Sequence, residues 1–211
     1  MNAVTSAGLL AASKNPMAQR ESRHSYSISL EQGEITNQKQ SGRCWMFAAL
    51  NTFRFEVMKN LNLKTFELSQ NYTLFYDKLE KSNYFLESIL ETLDEPTQGR
   101  LISFLLSAPL GDGGQWDMLC NLVRKYGVVP KEAMPETVAS SATREMTAAL
   151  TRKLREDACR LRKAYADGFT LDELRKKKEA MMEEIYRILC ICLGEPPKTF
   201  DLEVTDKDDK F

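Results

Sequence analysis

Apolar positions recur at helical spacing over most of the chain. From position 44 the pattern runs Met46, Leu50, Phe53, Val57 and Leu61, one face of a 3.6-residue repeat. Phe47 and Ala48 add apolar surface elsewhere, so the first turns are expected to be buried on more than one side. Ser69 is placed to N-cap a second helix carrying Tyr72, Phe75 and Leu79. The pattern predicts a further helix from Ser82 to Leu93, ended by Pro96, and another from Trp116 through Leu119, Leu122 and Val123, closed by Gly127. From Ser140 the composition shifts to Ala, Arg, Lys, Glu and Met. Met146, Leu150, Leu154, Ala158, Leu161 and Tyr165 form one stripe, which Gly168 ends. Thr170-Leu171-Asp172-Glu173 reads as a capping box, and Leu174, Met181, Ile185, Leu189 and Cys192 give the next helix its face until Gly194, Pro196 and Pro197. These two helices are expected to form an antiparallel pair.

Two segments follow period 2 instead. Tyr26, Ile28 and Leu30 alternate with polar residues, as do Phe200, Leu202 and Val204, and each predicts a short strand. A single strand cannot satisfy its own ladder, so 200–205 calls for a partner. Residues 1–20 are Ala- and Ser-rich and suggest a short helix. The longest apolar run, Leu101 to Leu110, is too short to span a bilayer. The N-terminus lacks the positive charge that precedes a signal core, which makes a cytoplasmic location the default.

Composition narrows the classes. At 43% hydrophobic and 28% charged residues the chain is not of the disordered type, and a net charge of −1 argues against nucleic acid as a partner. The run Arg175-Lys176-Lys177-Lys178 reads as a solvated helix face. Five cysteines and one histidine, without ligand-type spacing, predict no metal site, and no cofactor is expected.

The stretch Asn37-Gln38-Lys39-Gln40-Ser41-Gly42-Arg43-Cys44-Trp45-Met46-Phe47-Ala48 carries the chemistry. A polar, glycine-containing loop ends at a cysteine where a long apolar helix begins. A thiol there sits among the free N–H groups of a helix N-terminus, where the dipole favours an anion. Gln38, six residues upstream, is able to turn its amide towards the same spot. Gly111-Asp112-Gly113-Gly114 is the second such stretch. Its glycines suit either a tight interhelical loop or the close approach of another backbone.

The order Gln, five residues, Cys-Trp, one residue, Phe resembles the papain superfamily, and the whole stretch looks like its bleomycin hydrolase and bacterial aminopeptidase C branch. The generic papain pattern has Cys where Ser41 stands and a smaller residue at Arg43. Ser41 removes a disulfide partner, which fits an intracellular branch. The resemblance implies an α+β papain-like cysteine proteinase fold, of which this chain is the mostly α part. It further implies Cys44 as nucleophile, Gln38 as oxyanion-hole donor and Gly113 and Gly114 as substrate-backbone contacts. The resemblance implies peptides as substrates, cut by a cysteine aminopeptidase, and the helices of 136–197 resemble an insertion that helps build a homo-oligomeric, hexameric ring.

Thiol catalysis also needs an imidazole base and a group to orient it. The family's His-Ala-Met-like and Asn-Ser-Trp-Gly-like motifs do not occur in this sequence. The single histidine, His24, lies in a polar segment that reads as exposed. The expectation is therefore the N-terminal half of such an enzyme, without activity by itself. Its expected parts are an arm (1–35), the nucleophile-bearing helical half (36–135), a helical insertion (136–197) and the start of a β-domain (198–211). The alternative is a non-catalytic assembly or interaction module.

Overall fold

The computed structural model describes residues 2–21, 25–28, 30 and 33–208. Two units emerge, Met1–Glu31 and Gln32–Phe211. The first carries three short helices, α1 (Asn2–Ala7), α2 (Leu9–Ala12) and α3 (Pro16–Glu21), instead of one helix. Gly8, at φ 79°, separates α1 from α2, and Pro16, which has no N–H to donate, opens α3.

The second unit is built on helices α4 (Cys44–Asn60), α5 (Gln70–Glu91), α6 (Arg100–Ser107), α7 (Trp116–Tyr126), α8 (Val138–Ser141), α9 (Arg144–Ala166) and α10 (Leu171–Leu193). Helix α5 is its axis, packed against α4, α6, α7, α9 and α10. Leu74, Phe75, Leu86 and Ile89 of α5 are fully buried, as are Leu150, Leu154 and Leu161 of α9 and Ile185 and Leu189 of α10. The stripes on α9 and α10 thus close onto α5. Gly168, at φ 92°, turns the chain between them, and the Thr170–Glu173 capping box forms. Lys153 on α9 bridges Asp157 and, across the pair, Glu184 of α10.

Several expectations need correction. The helix expected over 82–93 is not separate, because α5 runs unbroken from Gln70 to Glu91. Ser82 does not break it. Its hydroxyl donates to the Lys78 carbonyl one turn back, at 2.7 Å, and is satisfied inside the helix. In α4 the inner face begins with Met46 and Leu50 as expected, then drifts to Arg54 and Met58, leaving Phe53 and Val57 half-buried and Leu61 exposed. Arg54 is tolerated inside because it donates to the Glu34 carbonyl at 2.6 Å. The alternating segments form no strand among the described residues. Residues 201–205 run as irregular chain beside 63–67 and 130–133, and the Lys207 N–H donates to the Asn62 carbonyl at 2.8 Å. Among the described residues the isolated bridges, Gln40 with Ala142 and Leu68 with Pro130, both lie outside these segments.

Two N-caps of the same chemistry sit in different surroundings. Thr170 caps α10 in the open, whereas Ser69, 2% exposed, caps α5 at Tyr72 and also donates to the Met134 carbonyl at 2.5 Å. Thr170→Ala should cost about 1 kcal/mol of stability, and Ser69→Ala roughly 2–3 kcal/mol because it strands a buried carbonyl as well. Urea unfolding of the two variants would measure the gap, and equal losses would contradict the assignment of Ser69 as a double anchor.

Candidate active site

Cys44 is the first residue of α4, and it is exposed. The N-cap residue, Arg43, makes no side-chain cap bond, so no side chain consumes the N–H groups of the first turn. That leaves a thiol and a set of backbone donors at one helix end. Gln38 lies half-buried in the loop before it, its carbonyl taking a 2.6 Å bond from the Ser41 hydroxyl. Lys39 follows at φ 51°, with its N–H on the Asn37 side-chain oxygen at 2.7 Å.

Ser41 and Arg43, the two positions that depart from the generic pattern, are bonded to each other. The Arg43 Nε donates to Ser41 Oγ at 2.8 Å, and its two terminal nitrogens reach both Glu136 oxygens, each at 2.8 Å. Arg43 is 1% exposed, so its charge demands such a fork-on-fork partner. Its guanidinium also lies 5.0 Å above the Phe47 ring. Ser140 donates to Glu136 in turn, at 2.7 Å. Burial would raise the Glu136 carboxyl, but Arg43 and the Ser140 hydroxyl outweigh burial and hold it below the usual range.

A second charge pair holds the other side of the loop. Lys78, fully buried on α5, donates to the Asp112 carboxylate and to the Gly111 carbonyl at 2.7 Å. Asp112 also accepts from the Gly42 N–H at 3.0 Å and from the Thr143 hydroxyl at the start of α9. Its own carbonyl takes the Trp45 indole N–H at 2.9 Å. Burial alone would raise the Asp112 carboxyl; Lys78, Thr143 and the Gly42 N–H reverse this and bring its pKa down to about 2. A Cβ on Gly42 would lie 2.7 Å from the Asp112 Cβ, which explains the glycine two residues before the cysteine.

The paired glycines are placed differently from one another. The Gly113 carbonyl is taken by Lys81 at 2.7 Å, and nothing stands within 4 Å of where its Cβ would be. Gly114 lies against the Trp45 indole, where a Cβ would come within 2.5 Å of the ring. No hydrogen bond among the described residues engages the Gly114 main chain. Of the pair, Gly114 keeps both backbone groups available while Trp45 covers one side of it.

His24 lies outside the described residues, so the structure gives it no place relative to Cys44. No group of three or more His, Cys, Asp or Glu suited to a metal occurs among the described residues, and all five cysteines are free thiols. No described helix is long and apolar enough to cross a membrane. The sequence reading missed Asp112, Lys78 and Glu136. A signal existed for Lys78, a charge at helical spacing between Leu74 and Ser82 on the buried side of α5, which requires an acidic partner elsewhere.

A thiol at an uncapped helix start, a braced loop and a paired-glycine loop thus stand together in the second unit. The chain belongs to the Peptidase C1-like family, whose model matches residues 1–211. It is 52% identical over 204 residues to the aminopeptidase C of Listeria monocytogenes, covering 97% of this chain and 46% of that protein. To human bleomycin hydrolase it is 48% identical over 188 residues, 88% of this chain and 41% of the relative. The crystal structure of PepW from Lactobacillus rhamnosis superposes with a TM-score of 0.93 at 49% identity, over 99% of this chain and 47% of that one. The chain thus spans just under half the length of each of these three relatives.

Asp112→Asn would leave Lys78 buried beside a neutral partner, at a cost of about 3 kcal/mol near neutral pH. The carboxyl is held below its unfolded value of about 3.9, so its contribution is complete above about pH 4 and falls as pH drops through about 2. Urea midpoints of the wild type and Asp112→Asn should therefore converge towards pH 2. A gap independent of pH would refute the pairing.

Proposed function

We propose that the chain is the nucleophile-bearing part of a cysteine aminopeptidase acting on peptides. The exposed Cys44 thiol at the uncapped start of α4 carries this reading. The Cys44 sulfur attacks a peptide carbonyl. The Cys44 backbone N–H and the Gln38 amide hold the developing oxyanion. The carbon–nitrogen bond breaks, the amine leaves with a proton, and water later splits the thioester. Gly114, with both backbone groups available, pairs with the substrate main chain, while Gly113 shapes the loop beside it. Aminopeptidase C and bleomycin hydrolase, the names of its relatives, support this class.

The proton transfers call for an imidazole, and the sequence holds only His24. We infer that these 211 residues alone supply the nucleophile without completing the catalytic set. In the assembled enzyme the α9–α10 pair serves as a helical insertion that contributes to a homo-oligomer, with a hexamer as the expected form. Five free thiols, with Ser41 in place of a disulfide partner, favour the reducing cytoplasm.

Cys159 is an internal control, because it too is exposed but sits within α9. With neutral iodoacetamide near pH 7, Cys44 should be alkylated about tenfold faster than Cys159, read by peptide mass mapping. Equal rates would remove the nucleophile assignment. On an aminoacyl-arylamide the purified chain should show no hydrolysis beyond that of Cys44→Ser. Clear Cys44-dependent turnover would instead show a complete catalytic set.

A further inference from the structure

A groove of about 920 Å³ runs from the nucleophile loop along α9. One bank is Lys39, Gln40, Ser41 and Gly42, ending two residues short of Cys44. The other is a stripe of α9 containing Arg144, Thr147, Thr151, Arg152 and Arg155. Its positions fall at helical spacing, so one face of α9 is polar and basic along the groove while the opposite face, Met146, Leu150 and Leu154, is buried in the core. Asp112 closes the floor.

The charges in the groove do not cancel. The Asp112 carboxylate is neutralised by Lys78 from behind. Arg155 is spent on the Leu106 and Ser107 carbonyls, at 2.9 and 3.0 Å. No carboxylate among the described residues pairs with Lys39, Arg144 or Arg152, and all are exposed. The Lys39 backbone is also held in place. Its turn is tied to Asn37, and the next residue, Gln40, is bridged to Ser141 and Thr143 at the head of α9. A protein of net charge −1 therefore presents a positive trough whose mouth lies at the nucleophile loop.

We propose that this groove is a binding site for acidic side chains of a peptide laid past Cys44, with Arg144, Arg152 and Lys39 receiving Asp or Glu carboxylates. The proposal rests on the peptidase reading only for the identity of the occupant. A peptide suits the site better than a nucleic acid. The cationic set is small, three side chains without a carboxylate partner among the described residues, and hydroxyls of Thr147 and Thr151 are interleaved with it, which suits one or two carboxylates and falls short of the extended basic track that a run of phosphates needs. Guanidinium groups match carboxylates in paired geometry, and long-range attraction would raise the rate of encounter.

The test uses alkylation at Cys44 in the full chain, which needs no hydrolysis. Iodoacetate carries a carboxylate and iodoacetamide does not, so the ratio of their rates at Cys44 isolates the local charge. In the double variant Arg144→Glu/Arg152→Glu this ratio, in which any change in the thiolate fraction cancels, should fall about tenfold at low salt. Because the variant places acids on exposed positions, Arg144→Gln/Arg152→Gln serves as the milder second form and should give about threefold. In 0.5 M NaCl, where the screening length is about 4 Å, the ratios of the wild type and both variants should converge. The peptide Ala-Glu-Glu-Ala should protect Cys44 at about tenfold lower concentration than Ala-Gln-Gln-Ala, and the variants should erase that difference. An unchanged ratio in both double variants, or protection by oligothymidylate at lower concentration than by the acidic peptide, would overturn the proposal. Slow Cys44 alkylation relative to Cys159 would instead count against the nucleophile reading while leaving the charge ratio intact.

Discussion

A lysine with no access to water must meet an anion, and the second unit is arranged around how Lys78 does so. It projects from α5, the helix that every larger helix of the unit packs against. Its partner, Asp112, lies in a loop, and that loop is thereby fastened to the axis of the fold. The same carboxylate then takes the Gly42 N–H from one direction and the Thr143 hydroxyl from another. One ion pair thus fixes the loop before Cys44, the glycine loop and the root of α9 relative to α5. Breaking it would leave a buried charge without compensation.

The Arg43 network does the same from the opposite flank. Arg43 binds Ser41 beside it and Glu136 across the fold, and Glu136 is held by Ser140. Thr137, in the same segment, donates to the Cys192 carbonyl, and Asn71 of α5 donates to both Pro135 and Leu193 carbonyls. Both ends of the α9–α10 pair therefore reach the loop before Cys44 through short polar chains. The α9–α10 pair is thus wired to the loop before Cys44. It is more than an appendage on the surface.

The sequence made the helices legible because their burial has a clear period and their ends carry strong signals. Ser69, Gly127, the Thr170 box and Gly168 all act where the pattern places them. The cysteine and its helix were legible for the same reason. Ser82 misled because a serine that bonds back to the preceding turn is as helical as its neighbours, and composition cannot distinguish that from a break. Alternation at 200–205 misled because period 2 describes a face and supplies no neighbouring strand. The polar framework was least legible. Asp112 with Gly42 and Arg43 with Glu136 are contacts between residues 70 and 93 positions apart, and no local pattern announces a partner at that distance.

Those same separations order events during folding. Gly42 cannot be fastened until residue 112 has docked, and Arg43 stays unpaired until residue 136 has. Contacts of such span close late, after the local helices have formed. A chain emerging during synthesis would carry Cys44 on a helix long before the loop in front of it had a shape. In such a half-made chain the thiol would be present while the loop before it still lacked both of its distant anchors.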